Sequence, residues 1–130
     1  YYVSKNLAHL PSISYDDIRK EFNIYDYTLA GSSEVARIGK ERMKDLLRSK
    51  QDFVVNNTTI CKQYQEAISN LVKQYGGTVI FIVVERPHDV ITTANSKRKG
   101  HELVPNHVYD SMMRKWDMPL LSYAHDIWHV

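Results

Sequence analysis

The spacing of apolar positions along this chain changes period several times, and each change marks a predicted element. Val3, Leu7 and Leu10 recur at helical spacing, which predicts a short helix, or the tail of one, broken by Pro11. Ser12-Ile13-Ser14-Tyr15 reads as a short strand, and Ile18 to Phe22 as a helix. Asp16 and Asp17 stand near that helix start, where the helix dipole favours anions. Residues 23–31 are a polar, tyrosine-rich connection. A long helix is predicted from about Ser33 to Ser49, with Val35, Gly39, Met43, Leu46 and Leu47 as its apolar stripe. Phe53-Val54-Val55 reads as a buried strand. A helix from about Ile60 to Tyr75 would present Ile60, Tyr64, Ala67, Ile68, Leu71 and Tyr75, and Gly76-Gly77 would end it. Val79 to Val84 is an unbroken β-branched and aromatic run, as in a strand covered on both faces. Pro87 opens a further helix and Lys97 to Leu103 form a charged loop. Pro105 opens another helix, with Val108, Met112, Met113 and Trp116 expected inward, and Pro119 closes the region. Residues 120–130 are apolar and aromatic without a clear period, and read as a last strand or the start of a further segment.

Strands at 12–15, 53–55 and 79–84 alternate with helices, which predicts an α/β fold with a parallel sheet flanked by helices on both faces. A length of 130 residues fits one domain, and 43% hydrophobic residues suffice for a core. The formal net charge of +2 sets up no global field toward nucleic acid, although a local basic patch remains open. With Cys61 as the only cysteine there is no internal disulfide, which fits a reducing compartment. No apolar run approaches a membrane span and the start lacks a signal-peptide layout, so a cytoplasmic location is expected. The opening Tyr1-Tyr2, without an initiator methionine, suggests a fragment or a processed product.

In an open parallel sheet, ligands gather at the carboxyl ends of the strands. Here those ends deliver Asp16 and Asp17, then Asn56, Asn57, Thr58 and Thr59, then Glu85 and Arg86, and the later loop adds Lys97, Arg98, Lys99 and His101. A carboxylate facing amides and guanidinium groups suits activation of a hydroxyl beside bound phosphates. Plainer readings stand beside this one. Asp16-Asp17 also reads as a helix cap, Asn56 to Thr59 as a helix N-terminus, and Lys97-Arg98-Lys99 as a solvated run. His125 and His129 are four residues apart, as in a zinc helix, but lack the glutamate and a third ligand, so no metal site is assigned. Cys61 reads as a packing residue, and some of the nine tyrosines could stack on bases.

Ser14-Tyr15-Asp16-Asp17-Ile18-Arg19 resembles the segment after the second strand of polynucleotide 5′-kinases and related P-loop kinases of the zeta-toxin-like and AAA-type groups. Asn56-Asn57-Thr58-Thr59-Ile60 resembles their Asp-Thr-Asn-Leu segment. Ala94-Asn95-Ser96-Lys97-Arg98 with Val104-Pro105, continued by Met113-Arg114-Lys115-Trp116, resembles their lid and the helix after it. The resemblance spans residues 1 to 119, read as an incomplete kinase-like domain, and leaves 120–130 as a tail. It implies a P-loop NTPase-like sheet and transfer of the ATP γ-phosphate, with Mg²⁺, to a nucleic-acid 5′-hydroxyl in end repair. It further implies Asp16 as general base, Arg19 on a substrate phosphate, Asn57 or Thr58 orienting the substrate, and Arg98 on the transferring phosphoryl group.

The chain departs from the family pattern at three points. The Gly-x-x-Gly-x-Gly-Lys-Ser/Thr loop does not occur in it, the acid of the second segment is an amide at Asn56 or Asn57, and the first lid arginine is Ala94. The loop's strand would lie between strands 53–55 and 79–84, so an upstream segment or a partner chain is expected to complete the sheet. The departures leave open a catalytically inactive pseudokinase or interaction module. A small-molecule or tRNA-linked kinase of the same fold is also open.

Overall fold

In a computed structural model of the chain, Ser12–Ile13 (β1) and Val54–Val55 (β2) lie side by side as a parallel pair, with Ser12 opposite Val54 and Ile13 opposite Val55. The structure describes residues 2–25, 28–57 and 61–130, without the His101 side chain. They fall into two compact units, residues 1–58 and 59–130. Residues 120–130 belong to the second unit.

The first unit holds three helices and a strand pair among the described residues. After the short helix Tyr2–Asn6 (α1), the chain enters β1 and turns at once into Tyr15–Phe22 (α2). Ser14, in extended conformation, caps α2 by accepting the Asp17 N–H on its hydroxyl. Asn23, with φ of 54°, ends it in the left-handed region that asparagine tolerates. Leu29–Arg48 (α3) starts four residues earlier than its stripe suggests, because Thr28 accepts the Gly31 N–H on its hydroxyl and so supplies the cap. The predicted stripe is the buried face of α3 at Val35, Gly39 and Met43, and Ile13 and Ile18 are buried within the same unit. Gly39 faces Tyr15 so closely that a Cβ there would stand 2.8 Å from Tyr15 Cε1. We expect Gly39→Val to lower stability by about 1–3 kcal/mol through overpacking. Gly39→Ala should stay within about 1 kcal/mol of the parent, since the gain in helix propensity offsets a displaced ring. Denaturant unfolding checks both, and a valine variant as stable as the parent would show that the ring contact is dispensable.

The second unit pairs Ile80–Val83 (β3) with Asp126–His129 (β4), also in parallel, so the tail supplies the last strand. Lys62–Gln74 (α4) precedes β3 and ends at Gly76, whose φ is +76°, with Gly77 N–H donating to the Val72 carbonyl. His88–Ser96 (α5), a 3-10 turn Gly100–Glu102 and Asn106–Arg114 (α6) form the connection between the two strands, with segment 117–124 leading into β4.

Three expectations need correction. The strands predicted for one sheet form two parallel pairs, β1 with β2 and β3 with β4, among the described residues. Accordingly β3 is not covered on both faces, and Ile80 is 42% exposed. The buried face of α4 is not the predicted apolar stripe: Gln65, Ser69 and Val72 are buried while Tyr64 is exposed. The cause is a polar network. Gln65 Nε2 donates to the Asp117 carbonyl at 2.9 Å, the Tyr123 hydroxyl donates to Gln65 Oε1, and the Ser69 hydroxyl donates to the Tyr123 carbonyl. The Asp117 carboxylate also accepts the Lys62 N–H at 2.8 Å and so caps α4, whose Cys61 cap position makes no side-chain bond. Finally, Val108, Met113 and Trp116 are exposed, and α6 buries none of its residues.

On β4, Asp126 accepts the Ile127 N–H at 2.8 Å and the Trp128 indole N–H at 3.0 Å. Those bonds, the indole first, hold the Asp126 carboxyl below the usual aspartate range. A depressed carboxyl contributes stability above its unfolded pKa and loses it as pH falls through the folded value. In a Trp116→Phe background, Trp128 fluorescence should therefore titrate with a midpoint below that of an ordinary aspartate. Asp126→Asn should remove that titration, and its persistence would refute the assignment.

Candidate active site

β1 and β2 are joined by backbone bonds at both ends, and at their carboxyl ends by a side chain as well. Val54 N–H donates to the Pro11 carbonyl at 2.9 Å and Asn56 N–H to the Ile13 carbonyl at 2.8 Å. One residue further, Asn57 Oδ1 accepts the Tyr15 N–H at 2.7 Å, in the first turn of α2. The first helical turn after β1 is thus held from two sides, by the Ser14 hydroxyl and by the Asn57 amide. Asp16 lies between these attachments, exposed at the second position of α2. An exposed carboxylate on a fixed backbone is open to an incoming hydroxyl, and a general base must come within hydrogen-bond reach of the proton that it takes.

Parallel register therefore brings the Asp16 segment and the Asn56-Asn57 segment to one edge. In this geometry Asn57 is a backbone acceptor. The resemblance set the amide here against catalysis, but an amide oxygen accepts an N–H as a carboxylate does. Thr58, the other candidate for orienting substrate, lies outside the described residues.

Arg19, expected on a substrate phosphate, is engaged within the first unit. Its side chain is turned into the unit, with the residue only 8% exposed. Nη1 donates to the Ile24 carbonyl at 3.1 Å and Nη2 to the Ser32 hydroxyl at 3.2 Å. These bonds join the turn after α2 to the start of α3, and a substrate phosphate would have to compete with them. An open hollow lined by Asn23, Ile24, Tyr25, Gly31 and Glu34 adjoins that turn, and none of the site residues expected from the sequence lines it. At its rim, the Arg37 guanidinium grips Glu34 at 2.7 Å and holds its carboxyl below the usual range.

Arg98 belongs to the second unit, in the exposed loop after α5. Among the described residues no hydrogen bond or ion pair engages the side chains of Lys97, Arg98 or Lys99. No group of three histidine, cysteine or acidic side chains suited to a metal ion occurs among the described residues. His125 and His129 lie on and beside β4, so their spacing is not that of a zinc-binding helix. No helix among the described residues is long and apolar enough to cross a membrane.

Parallel strand pairs, a helix started at a strand's carboxyl end and a basic loop between two later helices make this an α/β protein, and the family match that follows implies a fold of the P-loop NTPase type. The sequence model of the AAA domain family matches residues 5–119, and the chain belongs to that family. Many members are kinases acting on nucleotides or polynucleotides, and the family generally uses ATP and Mg²⁺. No curated protein matches the chain.

Proposed function

We propose that this chain is a polynucleotide 5′-hydroxyl kinase-like domain that transfers the ATP γ-phosphate to a nucleic-acid 5′-end in end repair. The placement of Asp16 carries the reading: an exposed carboxylate on a doubly anchored helix start, at the carboxyl edge of a parallel strand pair. Asp16 would accept the proton of the 5′-hydroxyl as its oxygen bonds to the γ-phosphorus and the bond to the departing ADP breaks. Arg98 would stabilise charge on the phosphoryl oxygens in flight, the kind of contribution that dominates phosphoryl transfer. The unpaired cations Lys97, Arg98 and Lys99 fit a triphosphate by charge. Magnesium carried on the nucleotide would neutralise its phosphates, and this metal commonly binds through substrate phosphates with few protein ligands.

The test is transfer of labelled phosphate from ATP to a 5′-hydroxyl oligonucleotide by the whole protein, with the 5′-phosphorylated oligonucleotide as control. Label on the hydroxyl strand alone supports the reading. Label on nucleosides or on tRNA only would move the substrate to another kinase of the same fold. A second reading, a non-catalytic binding module, is favoured by the inward commitment of Arg19. It predicts oligonucleotide binding that weakens steeply with salt and needs no ATP.

A further inference from the structure

The loop carrying Arg98 has a closure of its own. Asn95, near the end of α5, donates its Nδ2–H to the Val104 carbonyl at 2.8 Å and accepts the Val104 N–H on Oδ1 at 3.0 Å. One amide thus occupies both backbone groups of one residue, as a neighbouring strand would, and shuts residues 96–103 into a closed loop. Inside it, Arg98 N–H donates to the Asn95 carbonyl at 2.9 Å. Gly100, with φ of +62°, makes the reversal that a side chain would oppose. Lys97, Arg98 and Lys99 project from this loop, all exposed. A merely solvated charge run needs no such fixation, and three adjacent cations held close repel one another. Fixing them is useful when an anion must meet them in one place, since a preformed cationic group loses less freedom on binding.

We propose that Asn95 is the positioning residue for Arg98: it closes the loop and so presents the guanidinium to the anionic phosphoryl group. This rests on the phosphotransferase reading. Turnover in a double-mutant cycle tests it. Arg98→Ala should lower kcat by about a thousandfold, the scale of a transition-state arginine. Asn95→Ala should lower it by about tenfold to a hundredfold, as displaced catalytic groups do. Adding Asn95→Ala to Arg98→Ala should then cost no more than about twofold, because the pin acts only through the arginine. Asn95→Asp, which keeps the acceptor for the Val104 N–H and loses the donor, should fall between Asn95→Ala and the parent. Amide exchange at Val104 should quicken in Asn95→Ala while α4 keeps its protection. Additive losses, or unchanged turnover with a loosened Val104, would overturn the proposal.

If the parent protein transfers no phosphate, the phosphotransferase reading fails on its own, and the same cycle is read on affinity for inorganic tripolyphosphate. Non-additive weakening by the two substitutions supports the pinned loop. Additive weakening, or no binding by the parent, overturns it.

Discussion

Asp16→Asn should reduce phosphate transfer to a 5′-hydroxyl by about 10²–10⁴-fold, the usual contribution of a general base. The fold should survive this change. Asparagine has nearly the shape of aspartate, and Asp16 is exposed. The first turn of α2 is capped by Ser14 and Asn57, neither of which depends on the Asp16 side chain. Loss of one carboxylate from the helix start costs about 0.3–1 kcal/mol. Asp17→Asn is the matched control, since the Asp17 backbone N–H engages Ser14 whatever its side chain. Turnover lost in Asp16→Asn and kept in Asp17→Asn supports the base assignment. Full turnover in Asp16→Asn, at an unchanged melting temperature, removes it.

Gln65→Ala should have the largest effect on stability, about 2–4 kcal/mol from the cavity and from buried groups left without partners. Gln65 is 1% exposed and serves the Asp117 carbonyl and the Tyr123 hydroxyl together. Removing it strands that hydroxyl in a buried position, where Tyr123 also meets Phe81 edge to face at 6.0 Å. Adding Tyr123→Phe to Gln65→Ala should therefore cost much less than it does alone, because the orphaned hydroxyl leaves with it. Denaturant unfolding of the four proteins in this cycle measures the coupling. Strict additivity would mean that the two side chains do not share one network.

The α4 network also shows where sequence reading stopped. The stripe of α3 was legible because its buried face is apolar at helical spacing, through Val35, Gly39 and Met43. The neighbouring of Asp16 and Asn57 was legible because parallel strands deliver their ends to one edge. The face of α4 was not, since Gln65 and Ser69 look like surface residues until partners more than 50 residues away are known. The partners of Arg19 were hidden for a related reason. The resemblance implied a phosphate for it, and nothing in the sequence showed that the left-handed turn at Asn23 returns the chain so that the Ile24 carbonyl meets its guanidinium. The division of the strands into two separate pairs could not be read, because apolar runs report burial and carry no record of which strand adjoins which. Asn95 escaped notice because a lone asparagine near a helix end has no pattern, and only its bonds to Val104 give it a role.

Neither α5 nor α6 buries a single residue. The two helices are linked by polar bonds, His88 Nδ1 to the Tyr109 hydroxyl at 2.9 Å and Asn95 to Val104. Detaching such a hairpin exposes little new apolar surface, so its opening free energy should be well below that of global unfolding. Its amides should exchange as a separate, faster cooperative block than those of α3, and with only weak dependence on denaturant. The same thinness makes the hairpin a poor carrier of heat-capacity change, so the logarithm of its opening constant should run nearly straight against inverse temperature, while that for unfolding the buried body of α3 should curve.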